Sequence, residues 1–192
     1  MVFRRLLAAV AASLLLIGLS SCKSDPTVAA YVGDDVISID QIDDYYAKAV
    51  ADPVSAQQVQ QNPGAAKPNL VSMLVFIQLL HSATEKVGAA VTPAEVSAAK
   101  AELEPQRQQI TGELALLPLD QLADILAYQG KLGDWAKEGV ADQNSAAKKY
   151  TQALQDAEKA NPVTVNPRYG KFDLNKAPQM VSSDVAVKSV QS

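Results

Sequence analysis

The most constraining feature of this sequence is an uncharged apolar stretch in its middle, within the segment Asn69–Val87 (NLVSMLVFIQLLHSATEKV). Its large apolar side chains repeat with the spacing of one helical face, and further ones form a second face. The first face carries Leu70, Met73, Leu74, Ile77 and Leu80, and the second carries Val71, Val75, Phe76 and Leu79. A bilayer crossing takes about 20 apolar residues, so this run is too short to span a membrane. It predicts a core helix that other elements cover on several sides.

The N-terminus, residues 1–21, has the pattern of a secretory signal. The positive pair Arg4–Arg5 precedes the apolar run Leu6–Leu19. The segment ends in LSSC, which is similar to a bacterial lipobox, with cleavage between Ser21 and Cys22 and lipid attached to Cys22. The alternative is an ordinary signal peptide with an accidental cysteine. Because Cys22 is the one cysteine of the chain, an internal disulfide is excluded.

The charge balance of the mature chain argues against nucleic acid as a partner. Of the 17 basic residues, two lie in the signal, which leaves 15 against 21 acidic residues and a net charge of −6. A moderately acidic chain without a basic cluster binds polyanions poorly. We therefore expect membrane attachment through lipid on Cys22, at the extracytoplasmic face of the cell membrane, with residues 22–27 as a tether.

The first half of the chain predicts a short strand, a turn and several helices. Val28–Val32 is β-prone, and a helix begins at the N-cap Ser38, with Gln41 in the position of a capping box. Residues 52–67 are rich in Gln, Pro and Asn and predict a mobile loop, or a loop with one helical turn. Pro68 is predicted in the first turn of the central helix. Gly88 ends that helix, and Thr92 begins the next one, with Glu95 closing a capping box and Pro105 ending or kinking the helix.

The second half predicts two more helices and a closing strand. Residues 106–117 have helical composition interrupted at Gly112, and Pro118 opens a helix that runs to about Gln129. Gly130 and Gly133 separate it from a last helical segment, 134–160. Val163–Val165 predicts a strand. Residues 174–192 are small and polar with scattered valines, and we expect a disordered tail.

Two sets of polar residues invite a metal or catalytic interpretation, and neither has the spacing for it. The acidic residues Asp34, Asp35, Asp40, Asp43 and Asp44 lack the calcium-loop spacing and predict a solvated face. The one histidine, His81, lies in the central helix and predicts a partly buried core residue with satisfied hydrogen bonds. We therefore expect no enzyme activity, no metal and no cofactor.

The order of these patterns resembles the N-terminal chaperone region of SurA-type and PrsA-type extracytoplasmic folding factors. The resemblance rests on VGDDVISIDQIDDYY, on the apolar helix running into EKVGAAVTPAEVSAAKAEL, and on the closing VTVNPRYGKFD. Together these segments cover most of residues 28–103 and then residues 163–173. Prolyl isomerases of that family carry a parvulin domain of about a hundred residues. Only 105–117 lies between candidate helices here, which is too short for such a domain.

The resemblance implies a mainly α fold over residues 28–173, of the SurA and trigger-factor C-terminal kind. We expect five or six helices around residues 70–87. A two-stranded β element, in which Val28–Val32 pairs with Val163–Val165, would join the two ends of the folded body.

The function implied is that of a membrane-anchored holdase, which binds unfolded exported polypeptides without prolyl isomerase activity. Aromatic and flexible side chains are the candidate peptide contacts: Tyr45, Tyr46, Met73, Tyr128 and Trp135. The alternative is an envelope scaffold lipoprotein with one dedicated partner. A holdase protects unrelated clients and a scaffold does not, so the breadth of protection distinguishes the two.

Overall fold

A small antiparallel sheet joins the two ends of the folded body. The structure is a computed structural model, and it describes residues 25–176. The strands of the sheet are β1 (Val28–Val32), β2 (Asp35–Ser38) and β3 (Val163–Val165), in the order β2-β1-β3. The predicted pairing of β1 with β3 is confirmed. The prediction of two strands was wrong, because the turn at Gly33, with φ of 61°, folds the chain directly into β2 against β1.

Six α-helices form the rest of the described chain, together with four short 3-10 segments, so the prediction of a mainly helical domain is confirmed. The helices are α1 (Ile39–Ala51), α2 (Pro53–Gln61), α3 (Pro63–Lys86), α4 (Pro93–Leu103), α5 (Leu119–Lys137) and α6 (Gln143–Ala160).

Helix α3 is the centre of the domain, as its sequence predicts. Between Leu70 and Leu80 the large apolar side chains are all buried. Most of them join β1, α1 and α5 in one apolar cluster, whereas Phe76, Leu80 and Ala83 face a second cluster with α6. Burial of each large side chain contributes about 1.5–3 kcal/mol. The helix is therefore packed on both of the faces that its pattern indicated.

The mobile loop predicted for residues 52–67 was wrong, because this region is helical almost throughout. Asp52 caps α2, and its Oδ1 accepts a hydrogen bond of 3.0 Å from the N–H of Val54. Val59 on α2 is buried, and α3 begins at Pro63. Pro68 consequently lies inside α3 rather than in its first turn. Gln and Ala are good helix formers, and a proline near a helix start costs few backbone hydrogen bonds.

The predicted helix boundary at Gly130 and Gly133 was also wrong. Helix α5 continues through both glycines to Lys137, and α6 begins only at Gln143. Each glycine costs about 1 kcal/mol relative to alanine in a helix. The burial of Leu132, which is fully covered, offsets that cost.

Several predicted helix ends are confirmed. Ser38 Oγ accepts the N–H of Gln41 at 3.1 Å. Thr92 and Glu95 form a complete capping box. Gly88 follows α3 with φ of 71°. After α4 the chain passes into 3-10 helices over 104–109 and 112–116 rather than further α-helix.

Part of the predicted termini can be compared with the structure. Residues 174–176, assigned to the disordered tail, form a short 3-10 helix, and Leu174 packs against the core. The rest of that tail, 177–192, lies outside the described residues. So do the signal segment and the predicted cleavage and lipid site at Ser21 and Cys22.

Candidate functional site: the free edge of β3

Strand β3 lies at the edge of the sheet and pairs on one side with β1. Two backbone hydrogen bonds bracket it. Asn166 N–H donates to the carbonyl of Ala29 at 2.8 Å, and Gly33 N–H donates to the carbonyl of Pro162 at 3.2 Å. In an antiparallel pair, residues that exchange hydrogen bonds alternate with residues that do not. These two bonds therefore show which residues of β3 direct their backbone N–H and C=O groups toward β1.

Thr164 is the residue of β3 whose backbone N–H and C=O groups point toward β1. It stands opposite Tyr31, and the alternation assigns both ladder bonds to this pair. The N–H and C=O groups of Val163 and Val165 consequently point away from the sheet. Within residues 25–176 no second strand pairs with them. This row of outward backbone groups is here called the free edge.

A groove of about 430 Å³ lies on one side of β3 and is called the outer groove. It is lined by Asp25, Pro26 and most of β1, and across from these by residues 164–167. The volume lies within the range of about 300–1,000 Å³ usual for ligand sites. The outer groove begins at the first described residues, Asp25 and Pro26, which belong to the predicted tether.

A second and smaller cavity, of about 240 Å³, lies along the free edge and is called the edge slot. Val163 and Val165 line it, and Thr164 does not. The other walls are Glu158 at the end of α6 and the segment 170–172, which includes Phe172. The edge slot thus has apolar side chains, one acid, one lysine and the outward backbone groups of β3 around it.

Local sequence explains why the chain after β3 turns back to form this slot. Asn166 Nδ2 donates to the carbonyl of Val28 at 3.0 Å, and its Oδ1 accepts the N–H of Arg168 at 3.2 Å. Gly170 then takes φ of 89°, a conformation that favours glycine. Phe172 and Leu174 pack back onto the core. The turn NPRYG therefore places residues 170–172 across the slot from the edge strand.

The candidate contacts predicted from sequence do not line either cavity. Met73 is fully buried, so it belongs to the core and was wrong as a surface contact. Tyr45 and Tyr46 are half-buried against the main cluster on α1. Lysine ammonium groups stand over their rings, from Lys48 at 5.6 Å and from Lys67 at 5.1 Å.

Tyr128 and Trp135 lie on α5 and pack against the second apolar cluster. The ring of Tyr128 meets His81 edge-on, with centroids 5.4 Å apart. Lys149 Nζ lies 4.2 Å from the ring centre of Trp135 and donates to its backbone carbonyl at 2.8 Å. Both aromatic residues are thus engaged with neighbours of their own, away from the free edge.

The structure confirms the exposed face predicted for the acidic residues, and His81 is partly buried as predicted but does not lie in the core. His81 is half-buried, and its Nε2 lies 3.4 Å from Glu85 on the next turn. The five aspartates of the N-terminal cluster are exposed, and Asp43 and Asp44 pair with Lys67 and Lys48. Within residues 25–176, no three His, Cys, Asp or Glu side chains are grouped so that they could hold a metal ion.

A polar network that the sequence did not reveal lies under the 104–117 segment. Arg107 Nη2 donates to Asp52 Oδ2 at 2.6 Å, to Ser55 Oγ at 3.1 Å and to the carbonyl of Ala115 at 3.0 Å. Burial raises the pKa of Asp52, but hydrogen bonds from Val54 and Arg107 outweigh it and hold that pKa below its ordinary value. Asp52 and Ser55 lie 55 and 52 residues before Arg107 in the sequence, so no local pattern indicates these contacts.

The comparisons with known proteins give no match. Neither a family model, nor a curated protein, nor a solved structure matches this chain. Within residues 25–176, no helix combines the length and the apolar character that a membrane crossing requires.

Proposed function

We propose that this chain is an extracytoplasmic lipoprotein of the SurA and PrsA N-terminal type, anchored through Cys22, that holds unfolded exported polypeptides at the free edge of β3. The fold of that family, the anchor and the clients are all part of the proposal. The observation that carries it is the row of outward backbone groups at Val163 and Val165, placed between two cavities.

An exposed strand edge recognises extended chains by a general mechanism. A peptide that adds as a further strand gains main-chain hydrogen bonds whatever its sequence, while pockets beside the edge accept alternate side chains. Unfolded polypeptides offer such backbone along their whole length. An edge site beside a mostly apolar groove therefore fits a chaperone with broad preference.

The size of the edge fits weak and reversible binding. Two outward residues provide four backbone groups, and each hydrogen bond contributes about 0.5–1.5 kcal/mol net. Pro162 and Pro167 bracket the strand and limit its length. Short edges bounded by proline resist uncontrolled pairing between copies. The site is thus suited to hold a client briefly without promoting association of the chaperone with itself.

The test compares two substitutions at one position. Val165→Pro removes the outward N–H, whereas Val165→Ala shortens the side chain and keeps that N–H. Proline is tolerated on a strand edge when the missing N–H faced outward, so the β1–β3 pairing is retained. The protein used is the mature chain 22–192 with Cys22→Ser, and its folding is checked by thermal melting with circular dichroism.

The measurement is light scattering by two unrelated proteins that aggregate on dilution from denaturant. The wild-type chain and Val165→Ala should suppress scattering of both at near-stoichiometric ratios, and Val165→Pro should require a several-fold larger amount. Equal protection by the proline and alanine variants would move the client site away from the edge. If the folded wild-type chain protects neither client, the holdase proposal is wrong and a scaffold with one partner replaces it.

A further inference from the structure

A small cavity lies where the end of α1, the start of α2 and residues 116–119 meet, and it is called the α1–α2 cavity. Its volume is about 210 Å³, enough for a small molecule of a few heavy atoms. Four polar or charged side chains line it, those of Lys48, Asp52, Ser55 and Arg107, and residues 116–119 form an apolar wall. Its described lining residues all differ from those of the outer groove and the edge slot.

The acceptor groups on the polar wall of this cavity already have donors within the protein. Asp52 Oδ1 accepts the N–H of Val54 at 3.0 Å, and its Oδ2 accepts Nη2 of Arg107 at 2.6 Å. Ser55 Oγ accepts the same Nη2 at 3.1 Å and donates to the carbonyl of Ala115 at 2.6 Å. A ligand that brings further donors would therefore compete with contacts that the fold already makes.

Donors, in contrast, are in surplus on the wall. Nη1 of Arg107 is buried and has no acceptor among the described residues. A buried donor without an acceptor costs free energy, which a ligand oxygen would recover. Lys48 carries three N–H groups and pairs with Asp44 at 2.7 Å, but the two side chains are 60% and 55% exposed. Because such an exposed pair contributes little, Lys48 can exchange this partner for another carboxylate.

We infer that the α1–α2 cavity binds a small carboxylate, with one oxygen accepting from Arg107 and the other from Lys48. A carboxylate brings two acceptor oxygens and no donor, which matches the surplus on the wall. Hydrogen bonds between ionised partners are also the strong ones. The apolar wall at 116–119 favours a short aliphatic stem. Nη1 is covered in the structure, so the wall must move slightly on binding, and we expect a dissociation constant in the millimolar range.

An NMR titration tests the site with propanoate and with propanamide, a neutral molecule of nearly the same shape. The protein is the mature chain 22–192 with Cys22→Ser, at pH 7 and constant ionic strength. Propanoate should shift the backbone amide signals of Ser55, Leu117 and Leu119 and reach saturation, and propanamide should not. Equal shifts with both molecules would overturn the carboxylate assignment. No shift with either would overturn the site and leave Nη1 to a bound water.

Two matched lysine variants test whether the cavity, rather than general surface charge, attracts the carboxylate. Lys48 and Lys67 each pair with an aspartate at 2.7 Å and stand over a tyrosine ring, and of the two only Lys48 lines the cavity. Lys48→Met should weaken propanoate binding about fivefold or more, and Lys67→Met should leave it unchanged. Asp44→Asn removes the competing carboxylate and should strengthen binding about twofold. Equal effects of the two lysine variants would overturn the inference.

Arg107→Met tests the other donor, once circular dichroism shows that the variant is folded. In the folded variant propanoate should no longer shift the amides of Ser55 and Leu117. Binding retained at wild-type strength would overturn the role of Arg107 and the inference with it. If the variant does not fold, the lysine pair and Asp44→Asn still decide the question.

A free short-chain acid and the C-terminal carboxylate of a polypeptide present the same chemistry to this cavity. The dipeptide acetyl-Ala-Ala, compared with its C-terminal amide, distinguishes them. Tighter binding of the dipeptide acid than of propanoate would assign the site to polypeptide C-termini, and weaker binding would assign it to free acids; either result supports the site. Because the titration uses no client protein, its outcome is independent of the proposed holdase function.

Discussion

Replacement of Arg107 by methionine tests whether the 104–117 segment is held by the polar network beneath it. Methionine keeps an unbranched stem that packs like that of arginine and removes the guanidinium. The change leaves Asp52 without the 2.6 Å contact from Nη2 and Ala115 without its 3.0 Å hydrogen bond. Ser55 Oγ still donates to that carbonyl at 2.6 Å, so the backbone group is not fully orphaned.

The expected loss follows from the burial of the pair. Removal of one partner from a fully buried ion pair costs about 3–5 kcal/mol. Here the side chains of Arg107 and Asp52 are 19% and 32% exposed, which lowers that cost. Nη1 of Arg107 is buried without a hydrogen-bond partner in the described chain, a cost of about 1–3 kcal/mol that methionine relieves. We therefore expect a net destabilisation of about 1–3 kcal/mol.

Urea unfolding at pH 7, followed by circular dichroism, measures this value. Asp52→Asn removes the carboxylate charge and keeps a good N-cap for α2. In a double-mutant cycle the two changes should be coupled by about 1 kcal/mol or more, and the double variant should be more stable than Arg107→Met alone. Because the folded pKa of Asp52 is lowered, this stabilisation is present above the unfolded value of about 3.9 and is lost as pH falls through the folded value. A destabilisation below 0.5 kcal/mol or zero coupling would refute the reasoning.

Two further predictions concern the capping box and the β1–β2 turn. A hydrogen bond from Lys131, with others from Thr92, lowers the pKa of Glu95 to about 2. The stabilisation that Glu95 contributes is therefore present above the unfolded pKa of about 4.3 and is lost as pH falls from there toward 2. Melting temperatures of Glu95→Gln, measured across this pH range, should lack this part of the acid dependence. The same dependence of melting temperature on pH in the wild-type chain and the variant would contradict the prediction. Gly33→Ala places a Cβ 2.7 Å from Asn161 Oδ1 at φ of 61°, and should destabilise by more than about 1 kcal/mol in urea unfolding. In an Asn161→Ala background, Gly33→Ala should lose only the stability that the positive φ of residue 33 costs. The same loss of stability in both backgrounds would show that no clash with Asn161 occurs.

The parts of the fold that follow from local sequence were predictable. The central helix rests on uninterrupted helical spacing, and Thr92 with Glu95 rests on a capping pattern that depends on neighbours three residues apart. The pairing of β1 with β3 was predictable because only two β-prone segments were read with clear boundaries. Each of these signals is contained within a few residues.

The parts that failed depend on burial, which single residues do not reveal. Residues 53–61 became helical because α2 buries Val59 and Ser55, and their Gln-rich composition was misread as a loop. Helix α5 passes two glycines because Leu132, which lies between them, and Ala136, which lies beyond them, are buried. The free edge escaped notice because an edge is defined by the absence of a neighbouring strand. The lack of a neighbouring strand is a property of the whole sheet, and the sequence of Val163–Val165 alone does not reveal it.

The position of the sheet gives the proposed anchor a physical consequence. β1 begins six residues after Cys22, and an extended tether of that length spans at most about 20 Å. β3 is bonded directly to β1, so the free edge would lie close to the proposed anchor whatever the orientation of the helices. Under the proposed function, clients that emerge at the extracytoplasmic face then meet the edge near the membrane surface. In this proposal the same tether would limit how far the edge can reach, and would favour polypeptides still close to their site of export over those already released.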